Sequence, residues 1–180
     1  MKKPKFVTGE EAAAMIKDDS TIATIGMTLV SASETILKAI EKRFLETGSP
    51  NHLTLVHSCG LSDRDRGIQH FSHEEMLYRI IGGHWGLQPR MMKLISENKI
   101  LAYCIPQGQF AQLYRSMAGG EPGKITKVGL GTFIDPRIDG GKMNAITKDA
   151  PDIVDVVTID GEEYMRYKPI PLDYCIIRGT

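Results

Sequence analysis

Val128–Lys142, with the sequence VGLGTFIDPRIDGGK, guides the interpretation of the whole chain. An apolar run, residues 125–130, precedes a turn-rich segment that holds Pro136 and the pair Gly140-Gly141. Pro136 fixes its own φ, and the paired glycines permit positive φ. Strands that lead into glycine-containing loops form the ligand crevices of open α/β sheets. The stretch therefore predicts a strand ending at Gly131 and a ligand-binding loop, with an ordinary surface connection as the alternative.

Two other predicted strands end in similar breaks. Ile25-Gly26 interrupts a β-branched run, and Ile105-Pro106-Gln107-Gly108 ends an apolar one. Carboxyl ends of parallel strands meet at one edge of a sheet. The three breaks together favour a functional edge over three unrelated turns.

Composition and charge narrow the class of protein. The 180 residues are 42% hydrophobic and 24% charged, and 22 Lys and Arg balance 22 Asp and Glu. This length suits one domain, and the absence of a basic excess disfavours nucleic acid as a partner. Cys59, Cys104 and Cys175 form no CxxC pair, and the sequence shows neither an apolar signal core nor a membrane-length run. We expect a reduced cytoplasmic protein without a membrane segment.

Helical and strand patterns alternate along the chain. The predicted helices begin near Thr8, Ser31 or Ser33, His70, Leu87 and Gln107. The predicted strands cover residues 21–25, 53–56, 100–105, 125–130, 154–159, 164–167 and 172–177. This order indicates an α/β fold, an open and mostly parallel sheet flanked by helices. Asp160-Gly161 adds a late antiparallel hairpin.

The last predicted strand bears on the domain organisation of the chain. Cys175-Ile176-Ile177 has the apolar character of an interior strand, which a helix should follow. We therefore expect residues 1–180 to be one incomplete domain, a piece of a longer protein or one partner of a split assembly.

Familiar catalytic motifs are missing from the sequence. It has no GxSxG elbow, P-loop or GxGxxG fingerprint, and Gly129-Leu130-Gly131 is only a partial match. Cys59 and Cys104 lack a visible base and are interpreted as structural. His70, His73 and Glu74 do not have HExxH spacing, so no metal site is predicted.

Gln107 has two interpretations. An amide after a strand-ending proline can donate an N–H to a carboxylate while its oxygen is held by backbone, which suits the orientation of a small acid. It can also cap the first turn of its own helix, and spacing alone favours this second interpretation.

Several dispersed motifs, in order, resemble family I coenzyme A-transferases, most closely the single-polypeptide propionate/acetate type. The resemblance covers nearly all of the chain but about the first third of such a polypeptide. It rests on His84-Trp85-Gly86, residues 98–103, Pro106-Gln107-Gly108, residues 131–137 and 140–142, Asn144 and Thr147-Lys148.

The resemblance implies a coenzyme A-transferase/sugar-phosphate isomerase-like fold and a ping-pong transfer. In the family a glutamate attacks the acyl-CoA thioester, and a glutamyl-CoA thioester carries CoA to the acceptor acid. That glutamate belongs to the carboxyl-terminal half, so no catalytic residue is expected on this chain. Coenzyme A is then a substrate, and neither cofactor nor metal is implied.

The same resemblance implies substrate-binding residues. Gln107, with Gly108, matches the Pro-Gln-Gly motif near the reacting carboxylate. Gly26 matches a Gly-Gly-Phe loop that lines the acyl pocket, although Met27 replaces the phenylalanine and Ile25 the first glycine. Gly131 belongs to the opening stretch and completes the predicted set.

The implied partners are an acyl-CoA, a short-chain carboxylate and the missing carboxyl-terminal half, in a homo-oligomer when complete. This suits short-chain fatty acid or ketone-body metabolism. Two alternatives remain, a non-catalytic module that binds carboxylates or CoA esters and a sugar-phosphate isomerase-like enzyme.

Overall fold

A five-stranded parallel sheet is the centre of the fold in the computed structural model, which describes residues 3–179. Its strands are β1 (Thr21–Thr24), β2 (Leu53–His57), β3 (Leu77–Gly82), β4 (Leu101–Cys104) and β8 (Tyr174–Ile176), in the order β4-β3-β2-β1-β8. Met1, Lys2 and Thr180 of the predicted domain lie outside the described residues. The parallel sheet flanked by helices confirms the predicted fold class.

One helix precedes β1, and the others lie in the connections between these strands. They are α1 (Gly9–Ala14), α2 (Glu34–Thr47), a 3₁₀ helix (Gly67–Phe71), α3 (Pro89–Ser96), α4 (Gln107–Ala118) and α5 (Ala145–Lys148). The predicted start at Thr8 is confirmed by a capping box, in which the Thr8 hydroxyl accepts the Glu11 N–H and the Glu11 carboxylate accepts the Thr8 N–H.

The two faces of the sheet bury two separate apolar cores. Successive strand side chains point to opposite faces. Leu55 and Ile80 accordingly pack in the core under α1, α2 and α3, whereas Val56 and Ile81 pack in the core that contains Phe110 of α4. All five of these side chains are fully buried, and burial of each contributes about 1.5–3 kcal/mol.

A separate three-stranded antiparallel sheet covers part of the second core. It is formed by β5 (Lys124–Thr126), β6 (Val154–Ile159) and β7 (Glu162–Tyr167), in the order β5-β7-β6. The predicted hairpin is confirmed, since Asp160 and Gly161 both have positive φ between β6 and β7. The prediction of a strand over residues 125–130 is wrong, because β5 ends at Thr126 and Gly129 takes a φ of 104°.

The predicted helix that begins near His70 is also wrong. A short 3₁₀ helix ends at Phe71, and residues 77–82 form β3 in the parallel sheet. Leu77, Ile80 and Ile81 are buried on both faces of that strand. Exposed Tyr78 and half-buried Arg79 interrupt the apolar residues, so the segment lacks the alternation of a half-buried strand, and pairing with β2 and β4 makes it one.

His70 connects the 3₁₀ helix to α2. Its ring nitrogens lie 2.9 Å from a carboxylate oxygen of Glu34 and 2.5 Å from one of Glu41, and His73 adds a 2.8 Å contact to Glu41. Burial would raise the pKa of Glu41, but the hydrogen bonds from His73 and His70 lower it below its usual value. Glu74 does not join this cluster and pairs with Lys99 instead.

Within residues 3–179, β8 pairs only with β1 and forms an edge of the sheet. The prediction of an interior strand is therefore wrong for the described residues, and the Cys175 side chain is exposed. No helix between residues 3 and 179 has the length and apolarity needed to cross a bilayer.

Candidate functional site

Four parallel strands end in one straight row. Thr24 pairs in register with His57, His57 with Gly82, and Gly82 with Cys104. Each of these is the last residue of its strand. The row therefore places the four following loops side by side at the carboxyl edge of the sheet, where open α/β folds bind ligands.

The loop after β1 is tightly folded around Gly26. Gly26 has a φ of 140°, and a Cβ there would lie 2.5 Å from both the Val30 carbonyl oxygen and the Leu61 side chain. The Thr28 N–H donates to the Gly60 carbonyl oxygen across 2.9 Å, which ties this loop to the one after β2. Met27 is 59% exposed, so the thioether that stands in place of the motif's phenyl ring is accessible in this loop.

The end of β3 and the loop after it pack so closely against the end of β2 and its loop that Gly82 and Gly83 have no space for a side chain. A Cβ on Gly82 would lie 2.5 Å from His57 Nε2, and one on Gly83 would lie 2.2 Å from the Ser58 carbonyl oxygen. Burial lowers the pKa of His57 to about 4, so its ring is neutral at neutral pH. His57 Nδ1 therefore donates to the Cys59 carbonyl oxygen across 2.8 Å and holds the loop after β2.

Gln107 begins α4 immediately after Pro106, in the loop that follows β4. Its side chain is exposed, and its amide makes no hydrogen bond with any of residues 3–179. The interpretation of Gln107 as a cap of its own helix is not what the structure shows. Its Cγ lies against Gly83, since a Cβ there would be 2.5 Å away. The base of the side chain thus packs against the neighbouring loop, and the amide has no hydrogen-bond partner within residues 3–179.

The 128–142 loop extends the edge beyond β4. The Cys104 N–H donates to the Gly141 carbonyl oxygen across 2.7 Å, which fastens the end of the loop to the end of the strand. Asp135 is buried and accepts the Gly131 N–H across 2.9 Å. The Arg137 guanidinium, whose Nη2 lies 2.8 Å from Asp135 Oδ2, holds the pKa of that carboxyl well below its usual range.

A cleft of about 450 Å³ lies between this loop and the ends of β3 and β4. Its walls include Gly83, Cys104, Pro106, Val128, Phe133 and Ile134. A volume of this size is within the range of small-molecule sites. Burial raises the pKa of the Cys104 thiol, which donates to the Gly83 carbonyl oxygen, so this cysteine is a poor nucleophile.

The structure brings most of the predicted site residues to one edge. Gly26 and Met27 follow β1, and Gln107 and Gly108 follow β4. Gly131 lies in the 128–142 loop that extends this edge, where its N–H donates to Asp135, and it is not among the residues that line the cleft. These placements leave the binding roles of all five residues as predictions.

Two residues at the edge were not predicted, His57 and Gly83. A glycine pair at the end of an apolar run was a signal for Gly83, but the run was assigned to a helix. His57 had no sequence signal. Trp85, one of the residues that carry the family resemblance, is 5% exposed and packs in the first core. Among residues 3–179 no group of three or more His, Cys, Asp or Glu side chains is arranged to hold a metal ion.

Known sequences match the chain over nearly its whole length. A family model described as coenzyme A transferase matches residues 6–180. Caffeate CoA-transferase of Acetobacterium woodii is 41% identical over 98% of this chain and 33% of its own length. Acetate CoA-transferase YdiF of Escherichia coli K12 is 38% identical over 97% of this chain and 33% of its own length. The chain thus spans about one third of these two relatives.

Solved structures agree with this match. The acyl-CoA transferase YdiF apoenzyme from E. coli O157:H7 superposes with a TM-score of 0.92 at 36% identity, covering 100% of this chain and 36% of that one. Glutaconate coenzyme A-transferase from Acidaminococcus fermentans has a TM-score of 0.68 at 16% identity, covering 95% of this chain and 55% of that one, and shows the fold alone.

Proposed function

Because the chain belongs to the coenzyme A transferase family, we propose that it is the amino-terminal part of an enzyme that moves CoA between a short-chain acyl-CoA and a free carboxylic acid. The names of its relatives support a carboxylic acid as the CoA acceptor, and the one named for acetate supports a short-chain acid. Such an enzyme works where acyl-CoA is made and used, and three unpaired cysteines suit the reducing cytoplasm.

The observation that carries the proposal is the free Gln107 amide at the carboxyl edge. The exposed Gln107 amide, whose Cγ lies against Gly83 and which has no partner among residues 3–179, can donate to the carboxylate of a substrate or of an attacking glutamate. Donation at a developing oxyanion lowers the barrier to acyl transfer. The Gly26-Met27 loop follows β1 and lies at the same edge of the sheet.

The nucleophile is proposed to come from outside residues 1–180. The expected cycle forms an acyl-glutamyl anhydride and then a glutamyl-CoA thioester, which the acceptor acid resolves by the reverse steps. Alpha subunits of two-subunit enzymes are among the relatives, such as that of acetoacetyl-CoA:acetate/butyrate CoA transferase of Clostridium acetobutylicum, 27% identical over 98% of this chain and 71% of the relative. This supports a partner polypeptide, or a carboxyl-terminal half of one chain.

The test is CoA exchange in an assembled enzyme. The chain is co-expressed with its carboxyl-terminal half, and transfer from acetyl-CoA to a panel of monocarboxylates is measured. Gln107→Ala should lower kcat/KM about 10²-fold, as loss of an oxyanion donor does. Gln112→Ala, at an exposed glutamine of the same helix, should leave it unchanged.

Two outcomes would contradict the proposal. Equal activity of the Gln107 and Gln112 variants would remove Gln107 from the site. A folded complex that binds CoA esters without any transfer would indicate the non-catalytic module instead.

A further inference from the structure

His70 lies between two glutamates of α2, and the three side chains form the His70 cluster. The ring Nε2 is 2.9 Å from Glu34 Oε1, and Nδ1 is 2.5 Å from Glu41 Oε2. The His70 side chain is only 8% exposed, so the two glutamates supply the contacts of both ring nitrogens. A neutral imidazole has one N–H and one lone pair, so it donates to one carboxylate and turns the lone pair towards the other. A ring with two N–H groups satisfies both contacts.

The contacts of Glu34 are those of an ionised carboxylate. Its Oε2 accepts the Gly67 N–H across 3.0 Å, and the Lys38 ammonium lies 3.9 Å from Oε1. Arg66 is a further cation on this side, since its hydrogen bond to Asp63, and also the charge of Glu34, raise the pKa of its guanidinium. Donors and cations stabilise the charged form of a carboxyl group. Glu34 therefore does not supply the second proton of the cluster.

Glu41 is also held as a carboxylate. Its Oε1 lies 2.8 Å from His73 Nε2 and 3.9 Å from Arg90 Nη1 of α3. Burial acts to raise the pKa of Glu41, but the hydrogen bonds from His73 and His70 lower it. Within residues 3–179 no further acidic side chain pairs with His70. The second proton of the cluster therefore belongs to the His70 ring, between two negative charges.

The His70 cluster holds one end of the segment that follows β2. At the other end of this segment the Gly60 carbonyl oxygen accepts the Thr28 N–H at the carboxyl edge of the sheet. The Ile68 N–H donates to the Leu61 carbonyl oxygen across 2.9 Å, which closes the segment into a loop. The contacts of His70 with α2 therefore fix a loop that belongs to the candidate site.

We propose that His70 carries a proton on both ring nitrogens and acts as a pH-sensitive clamp, which fastens the segment after β2 to α2 and releases it when one proton is lost. The proton leaves one ring nitrogen for water, and the N–H···O contact of that nitrogen is lost with it. In an open segment the ring is an ordinary histidine, which is neutral above about pH 6.5. Between pH 7 and pH 8 the closed segment thus holds about one proton more than the open one, so alkaline pH favours opening.

Amide hydrogen exchange in the full-length protein measures this opening. The exchange rates of peptides that cover residues 61–71 are divided by their intrinsic rates, which gives the equilibrium constant of opening. A difference of one proton makes this constant rise up to about tenfold from pH 7 to pH 8. A neutral His70 would leave the constant unchanged over the same range.

Three substitutions assign the proton. His70→Gln removes the ring, and the opening constant should no longer depend on pH. Glu41→Gln places an amide at Nδ1, whose N–H donates to the lone pair of a neutral ring, so most of the dependence should disappear while the segment stays closed. His73→Gln is the matched control, because His73 contacts one carboxylate and needs only one N–H for it. Its pH dependence should equal that of the parent.

The outcomes decide whether His70 is the clamp. An opening constant of the parent that is equal at pH 7 and pH 8 would overturn the proposal. The full dependence in Glu41→Gln, or its loss in His73→Gln, would do the same, because the proton would then belong to another group. Glu41→Gln keeps the histidine and therefore decides the question if His70→Gln does not fold. Opening of the segment is measured without CoA transfer, so an inactive enzyme would leave the result unaffected.

Discussion

Glycine residues at the strand ends allow backbone segments to meet where a Cβ would collide. Gly83 does not have the positive φ that requires glycine, so its constraint comes from contacts alone. The Ser58 carbonyl oxygen lies on one side and the Gln107 side chain on the other. Because Gly83 has no Cβ, the Gln107 side chain can pack against its backbone.

Substitution of Gly83 isolates this contact. Gly83→Ala should lower the free energy of unfolding by about 1–3 kcal/mol, because the new methyl group overpacks the loop. Gly108→Ala is the control, since a Cβ there has nothing within 4 Å, and alanine at a helix position is neutral or stabilising. Urea denaturation measures both, and equal stabilities would contradict the contact argument.

At the scale of elements, the 128–142 loop is held by one buried carboxylate. Asp135 Oδ1 accepts the N–H groups of the Arg137 backbone at 3.0 Å and of its side chain at 2.9 Å, and Oδ2 accepts the Gly131 N–H. The Tyr167 hydroxyl also donates to the Val128 carbonyl oxygen across 3.0 Å. These bonds give a loop without regular structure a defined shape beside the cleft.

The Asp135 bonds predict a pH-dependent stability. The folded-state pKa of this carboxyl is depressed, so its contribution is fully present above the unfolded pKa of about 3.9 and is lost as the pH falls below it. Asp135→Asn should lower the free energy of unfolding by about 1–3 kcal/mol at pH 7. The difference from the parent should shrink between pH 4 and lower values.

Denaturant unfolding at a series of pH values checks this expectation. Asp139→Asn, at an exposed carboxylate of the same loop, serves as the control and should differ little from the parent at any pH. A difference for Asp135→Asn that stays constant down to pH 3 would show that the charge of Asp135 is not what holds the loop.

At the scale of the molecule, an apolar groove remains open beside the edge strand β8. It has a volume of about 500 Å³ and is lined by residues of β1, β8 and α4, among them Tyr114 and Met117, and by Ile177, which follows β8. Ile177 is 64% exposed. Exposed apolar grooves of this kind commonly mark surfaces that other protein covers. The proposed carboxyl-terminal half is the partner that we expect there.

A charge in the groove tests that expectation. Ile177→Asp should leave the free energy of unfolding of the chain within about 0.5 kcal/mol, since the residue is exposed. It should weaken association with the carboxyl-terminal half at least about tenfold, because a buried unpaired charge costs more than 1.4 kcal/mol. Isothermal titration calorimetry measures both affinities. Leu45→Asp on α2 is the control, and equal affinities would place the partner elsewhere.

Local patterns were sufficient where neighbouring residues decide the structure. The helix start at Thr8, the hairpin at Asp160-Gly161 and the strand near Leu53 depend on residues close in sequence, and all are confirmed. Long-range pairing overrode the local pattern elsewhere. The pattern of residues 77–82 predicts the end of a helix, but pairing with β2 on one side and β4 on the other makes them a strand.

The sequence by itself determined the α/β class, the glycine breaks and the family resemblance, because each depends on residue identity and spacing along the chain. Only the tertiary structure decided that Thr24, His57, Gly82 and Cys104 form one row, and that the Gln107 side chain packs against Gly83. It also decided that the 128–142 loop packs against β4. These are contacts between segments distant in sequence, and strand register and loop packing depend on the whole core.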